Sequence, residues 1–213
     1  MPDNALYREF HSAQEAEQWA HHHYGDLLNM DSENELYRLI FSYTGNWYLA
    51  LNRLLRACPT FGTLEFDDVD FGEYQEEKQQ IIEIFQVLNS YTLPEDIIVH
   101  RFTHITDVIR MLGKHWPKKG KVFSDKAFVS TTLVKDLLNG FAKENKCTCL
   151  LKNSLPKGIH GACVSFKTSK TLLNEQEFLL PPNVKMQIQK VHYFKWPIQI
   201  DCVALLDERG TLA

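Results

Sequence analysis

The apolar periodicity of this 213-residue chain changes once, near residue 97, and that change limits the folds open to it. Before it, apolar residues recur at helical spacing. Ser12-x-x-Glu15 has the form of a capping box and precedes Ala16, Trp19, Ala20, His23, Tyr24 and Leu27. Ser32-x-x-Glu35 repeats the signal ahead of Leu36, Leu39, Ile40 and Tyr43. Asn46 is placed to cap a third helix with Leu51, Leu54 and Leu55 inward. A loop holding Cys58, Pro59, Gly62 and Gly72 leads to a fourth, through Ile81, Ile82, Phe85 and Leu88.

After the change, β-rich runs dominate: 97–102, then, beyond one more helix (Ile105, Val108, Ile109, Leu112), 127–132, 147–151, 162–166, 177–180, 184–191 and 198–206. Val184, Met186 and Ile188 alternate with Lys185, Gln187 and Gln189, as in a strand with one wet face. Helices followed by strands, without a βαβα rhythm, predict an α+β fold and not a doubly wound sheet. The length suits one domain over 1–213, with a helical part at about 10–95 and a β-rich catalytic part at about 96–208.

Composition removes whole classes. At 44% hydrophobic and 23% charged, the chain is too apolar to be disordered. A net charge of −4 argues against a general nucleic-acid or anionic-membrane binder, while leaving room for a local basic pocket. Five scattered cysteines lack paired zinc spacing and read as reduced core thiols of a reducing compartment. The N-terminus has no signal-peptide pattern, and no run is long enough to span a membrane. His21-His22-His23 fans around a helix and does not converge on a metal.

Three features carry chemistry. Arg101 sits on the otherwise apolar run Ile97-Ile98-Val99-His100-Arg101, where a buried cation needs a partner. Taken alone it reads as a structural ion pair. In Val129-Ser130-Thr131-Thr132, alternation puts the Ser130 and Thr132 hydroxyls on one face, where they can orient a carboxylate. Alone, this is ordinary β-propensity. In Glu175-Gln176-Glu177, if the segment is extended, two carboxylates point the same way, immediately before the buried run Phe178-Leu179-Leu180. Alone, this is a solvated turn. Paired carboxylates beside a sugar are, however, what breaking an N-glycosidic bond requires: one stabilises the cationic sugar, the other takes the acceptor's proton.

In this order, the arginine, the Ser-Thr-Thr strand and the Glu-x-Glu strand resemble the arginine–serine–glutamate signature of bacterial mono-ADP-ribosyltransferases. The framework resembles the Rho-modifying exoenzymes and the enzymatic components of binary actin toxins. Phe10, Glu15, Ala16 and Trp19 are similar to the family's opening helix, and Leu51-Asn52-Arg53-Leu54-Leu55-Arg56 to its Ile-Asn-x-x-Leu-Arg segment. The stretch from Gly120 to Thr131 and Pro156-Lys157-Gly158-x-x-Gly161 resemble later segments, so the likeness runs over about residues 10–190.

The resemblance implies helices packed on two facing mixed or antiparallel β-sheets, with NAD in the cleft as substrate and no metal. It implies that Asn52, Arg56 and Arg101 hold the phosphates and adjoining ribose. Ser130 orients Glu177, Glu177 stabilises the cation as nicotinamide leaves, and Glu175 deprotonates the nucleophile. Phe141 stands for the aromatic of a loop folding over nicotinamide. Tyr48, Asn52 and Arg56, at i, i+4 and i+8, share a helix face, and a guanidinium fork suits pyrophosphate.

Glutamate at 175 goes with arginine modification in this family, where the Rho-modifying enzymes carry glutamine and modify asparagine. The implied activity is transfer of ADP-ribose to an arginine of a host protein, with NAD hydrolysis as a side reaction. Alternatives are an asparagine, glutamine or threonine acceptor and an inactive binding module. The implied protein is a monomeric toxin or effector, delivered from a bacterium into host cytosol, with actin or a small GTPase as target and no nucleic-acid or membrane partner. It departs from the family in Lys143, Lys146 and Cys147 where an arginine follows the loop aromatic, in Leu172 or Leu173 for an exposed aromatic, and in Phe102 and Thr132.

Overall fold

A computed structural model describes residues 7–28, 35–57, 74–164 and 175–206. Ser32, the loop at 58–73 with Cys58, Leu172 and Leu173 lie outside them. Helix α1 (Ala13–Tyr24) starts where Ser12 Oγ accepts the Glu15 N–H at 3.2 Å. The other half of the expected capping box is replaced: the Glu15 carboxylate accepts from the His11 N–H and from Arg8 instead. Ala16, Trp19, Ala20 and Tyr24 form its buried face, whereas His23 is exposed. Trp19 Nε1 donates to Glu95 at 2.6 Å, which fixes α1 to the chain entering the sheet.

Asn46 does not cap a helix. Helix α2 (Glu35–Ser42) continues through a π turn (Tyr43–Trp47) into α3 (Tyr48–Ala57), with Ser42 and Tyr48 both right-handed helical. The wider turn has a use. On a regular α-helix, side chains nine positions apart project to roughly opposite sides. Here Asn52 Nδ2 donates to the Tyr43 hydroxyl at 3.1 Å, a contact that the π turn makes reachable. Helix α4 (Gln75–Ser90) then buries Ile81, Ile84, Val87 and Leu88.

The strands are β1 (Ile97–Thr103), β2 (Val122–Phe123), β3 (Val129–Thr132), β4 (Cys149–Leu155), β5 (Ala162–Cys163), β6 (Glu177–Leu180), β7 (Met186–His192) and β8 (Ile198–Ala204). Helices α5 (Ile105–Met111) and α6 (Asn139–Glu144) follow β1 and β3. The α+β class is as expected. The strands run as one mixed ladder of eight in the order β2-β7-β8-β4-β1-β3-β6-β5, with β4 and β8 parallel. Its two halves meet at β1 and β3 through one register pair, His100 opposite Thr132.

The core is continuous across helices and sheet. Tyr24 of α1 stands edge-on to Phe178 of β6 (6.1 Å between centroids), and Tyr43 edge-on to Phe128 (5.3 Å). Cys147, Cys149, Cys163 and Cys202 are free and buried. Among the described residues no helix is long and apolar enough to cross a membrane.

Gly161 is the tightest point. Its φ is +148°, and an added Cβ would stand 2.8 Å from both the Leu179 carbonyl oxygen and the Phe178 ring. Gly161→Ala is expected to cost about 1–3 kcal/mol by combining backbone strain with overpacking. Urea denaturation checks this: the midpoint falls while the slope stays unchanged.

Candidate active site

The site begins at the β1–β3 junction. One residue beyond the His100–Thr132 pair, Arg101 Nη1 donates to the Ser130 carbonyl oxygen at 3.0 Å. A side chain thus supplies a cross-strand contact where the backbone ladder stops. Ser130 is exposed, and its side chain hydrogen-bonds Glu177, the first residue of β6. Arginine, serine and glutamate, far apart in the chain, therefore meet in one cluster.

Glu177 is half-buried, and this sets its chemistry. Burial pushes its pKa up to about 7; the Glu175 charge adds to the rise, while the Ser130 hydrogen bond and the Arg101 charge oppose it. Glu175 is also half-buried, and burial raises its pKa as well. The two carboxylates do not lie on an extended strand. Gln176 between them is left-handed (φ 48°) and buried, and its carbonyl accepts the Leu133 N–H at 2.9 Å. Thr132 Oγ1 donates to the Glu175 carbonyl at 2.5 Å. Thr132, buried directly across the ladder from Glu177, thereby anchors the turn that presents both acids.

A second group of charges flanks the first. Arg56 of α3 makes a two-pronged contact with Asp125, Nε to Oδ1 at 2.9 Å and Nη2 to Oδ2 at 2.7 Å. Burial alone would raise the Asp125 pKa, but the Arg56 hydrogen bonds and charge, together with Arg101, bring it below its usual value. Asp125 also accepts the Ala127 N–H at 3.1 Å, so it shapes the approach to β3. Desolvation lowers the Arg101 pKa, with the Asp125 charge opposing it. A guanidinium so placed stays protonated and, among the described residues, has no carboxylate fork of its own, which suits an anionic ligand.

Asn52 is buried beneath this group. Its Oδ1 accepts the Phe128 N–H at 3.1 Å while its Nδ2 holds the Tyr43 hydroxyl. Both ends of the amide are engaged with the protein, binding the π turn and α3 to the start of β3. Phe141 lies on α6 and not in a loop; its ring is 41% exposed and its carbonyl accepts from Asn145. Tyr48 is exposed on the same helix as Asn52 and Arg56.

Three residues of this neighbourhood escape a sequence reading that ranks single residues: Tyr43, Asp125 and Gln176. Burial and then the Glu177 charge raise the Tyr43 pKa, so its hydroxyl is neutral beside the acids. Helical spacing marked Tyr43 only as core. Asp125 stood inside a recognisable segment, but its pairing with Arg56 spans 69 positions. Among the described residues no group of His, Cys, Asp or Glu is arranged to hold a metal.

Known proteins share this fold. The fold is similar to that of C3stau2 from S. aureus, solved with NAD (TM-score 0.72, 18% identity, covering 93% of this chain and 98% of that one). It is also similar to the ADP-ribosylating toxin BECa of a C. perfringens binary enterotoxin, solved with NADH (TM-score 0.66, 24% identity, 93% of this chain and 50% of that one). At these identities the likeness shows the fold. A curated relative, an uncharacterized protein of Acanthamoeba polyphaga mimivirus, is 28% identical over 155 residues, or 71% of this chain; the match spans 19% of that relative's length. The model of the ADP-ribosyltransferase exoenzyme family matches residues 16–203, nearly the whole chain, and the chain belongs to that family.

Proposed function

We propose that this protein transfers ADP-ribose from NAD to an arginine of a protein substrate and releases nicotinamide. The observation that carries the reading is the pair Glu175 and Glu177, set by the left-handed Gln176 beside Ser130 and Arg101. Arg101 and Arg56 bind the pyrophosphate and adjoining ribose, Asn52 holds the floor beneath them, and Phe141 closes over the nicotinamide. Arg56 can share its fork between Asp125 and a phosphate because it lies at the exposed edge of the pair.

Chemistry starts at the bond between the ribose C1′ and the nicotinamide nitrogen. That bond breaks with its electron pair leaving on nicotinamide, which becomes neutral, and positive charge develops at C1′. The Glu177 carboxylate, oriented by Ser130, stabilises that cation and hydrogen-bonds a ribose hydroxyl. A guanidinium nitrogen of the acceptor then bonds to C1′, and its proton passes to Glu175. Without an acceptor in place, water takes the same position and NAD is hydrolysed.

A carboxylate at 175 favours arginine over an amide acceptor, since guanidinium carries a charge to be attracted and a proton to be removed. The buried free thiols suit a reducing compartment such as host cytosol, with actin or a small GTPase as the target class. Incubation with NAD and host-cell lysate tests the reading: protein label released by hydroxylamine supports arginine, and resistant label assigns another acceptor. Absence of any NAD turnover refutes the enzyme reading.

The two acids are expected to separate by substitution. Glu175→Ala abolishes transfer and keeps measurable NAD hydrolysis, whereas Glu177→Ala abolishes both, by about 100-fold or more if its electrostatic role is as assigned. Labelling and nicotinamide release, measured together, check the distinction.

Glu177 also predicts a pH profile. Its folded pKa of about 7 lies above the ordinary carboxylate value, and the ionised form is the reactive one. In the free enzyme, kcat/KM for NAD should therefore rise with pH through about 7 and level off above it. Glu175→Gln should move that limb to lower pH by removing a neighbouring negative charge.

The same shift bears on stability, with the opposite sign. Because the folded state binds the Glu177 proton more tightly than the unfolded state, this group destabilises the fold progressively as pH rises from about 4.5 to about 7. Glu177→Gln should then raise stability at neutral pH by about 1–2 kcal/mol, allowing for partial solvent screening, while removing activity. Thermal unfolding of the two proteins at acid and neutral pH reads this out.

A further inference from the structure

We propose that the tip of the β7–β8 hairpin, together with the loop ahead of β2, docks on an anionic lipid bilayer. Phe194 at the tip is fully exposed (105%), Trp196 is 77% exposed, and Tyr193 and Trp116 are about half exposed. Aromatic side chains of this size are rarely left in water together without a use. They project from a tied base. The Tyr193 hydroxyl donates to the Pro117 carbonyl at 3.0 Å, the Gly120 N–H to the Ile188 carbonyl at 2.7 Å, and the Ile188 N–H to the Lys121 carbonyl at 2.8 Å.

Charge identifies the occupant. Residues 112–121 and the tip residues 192–198 together contain five lysines, Lys118, Lys119 and Lys195 among them, and no aspartate, glutamate or arginine. This stands against a net charge of −4 for the chain. On β8, the Asp201 carboxylate is engaged with His192 at 2.7 Å and with Gln199 at 2.7 Å. The chain as a whole is acidic, yet this corner is basic.

Tryptophan and tyrosine settle at the headgroup level of a bilayer, phenylalanine enters the acyl boundary, and lysines meet anionic headgroups. A protein partner is the weaker fit. Protein interfaces are enriched in arginine and depleted in lysine, the reverse of what stands here. Along the ladder this corner is separate from the paired acids: β4, β1 and β3 lie between β8 and the acid-bearing β6. The proposal is independent of the catalytic reading, since binding is measured without turnover.

The test uses the purified full chain sedimented with phosphatidylcholine vesicles, with and without phosphatidylserine, at low and high salt. Binding to the phosphatidylserine vesicles is expected to be at least about tenfold stronger and to weaken as salt rises. Phe194→Ser with Trp196→Ser should reduce it about tenfold or more by removing buried apolar area. Lys118→Glu with Lys119→Glu should reduce it comparably, with the thermal unfolding midpoint unchanged in both variants. Equal binding to neutral and anionic vesicles, no binding at low salt, or undiminished binding in both variants overturns the proposal.

Discussion

One ladder pair, His100 with Thr132, joins the two halves of the sheet, and the side chains of the candidate site are arranged around it. Because the backbone ladder is a single pair wide there, Arg101 next to it extends its side chain to the Ser130 carbonyl. Thr132, on the other side of the pair, spends its hydroxyl on the Glu175 carbonyl and faces Glu177 across the next strand. A wider junction would take the Ser130 carbonyl into regular backbone pairing and away from Arg101. The narrow one lets a guanidinium, a hydroxyl and two carboxylates converge while the core beneath remains closed.

Convergence has an energetic cost that is visible in the site itself. Burial raises the proton affinity of both carboxylates, and the Glu175 charge adds to the rise of Glu177, which reaches a pKa of about 7. The fold tolerates it because helices and sheet share one core, from Tyr24 against Phe178 to Tyr43 against Phe128. The π turn serves the same end. It delivers Tyr43 and Asn52 to one side of a bent helical segment, and Asn52 in turn holds the first residue before β3. Local irregularity, the left-handed Gln176 and the π turn, collects around the acids.

Much of the architecture was legible in linear form. The switch from helical to strand periodicity near residue 97 matches the order of elements, and the start of β6 at Glu177 matches its predicted edge. Boundaries slipped where local signals were weak: β4 begins at Cys149 and runs to Leu155, and the two-residue β2 carried no pattern at all. Asn46 resembled a cap because asparagine usually is one, but the neighbouring turns pack as one continuous helical segment. The extended reading of Glu175-Gln176-Glu177 failed because a buried glutamine adopts a left-handed turn that only its partners across the fold support.

By itself the sequence determined which chemistry was present: an arginine, a hydroxyl strand and a pair of acids in a fixed order, within an α+β chain belonging to one enzyme family. Residue type and order are local properties, and hydrophobic period follows from them directly. Tertiary structure alone decided that Arg56 pairs with Asp125, that Thr132 grips the acidic turn, and that Glu177 is shielded enough to titrate near neutrality. It also gathered two basic, aromatic segments some seventy residues apart into one corner. Those outcomes depend on desolvation and on contacts between distant positions, which arise only when the chain closes on itself.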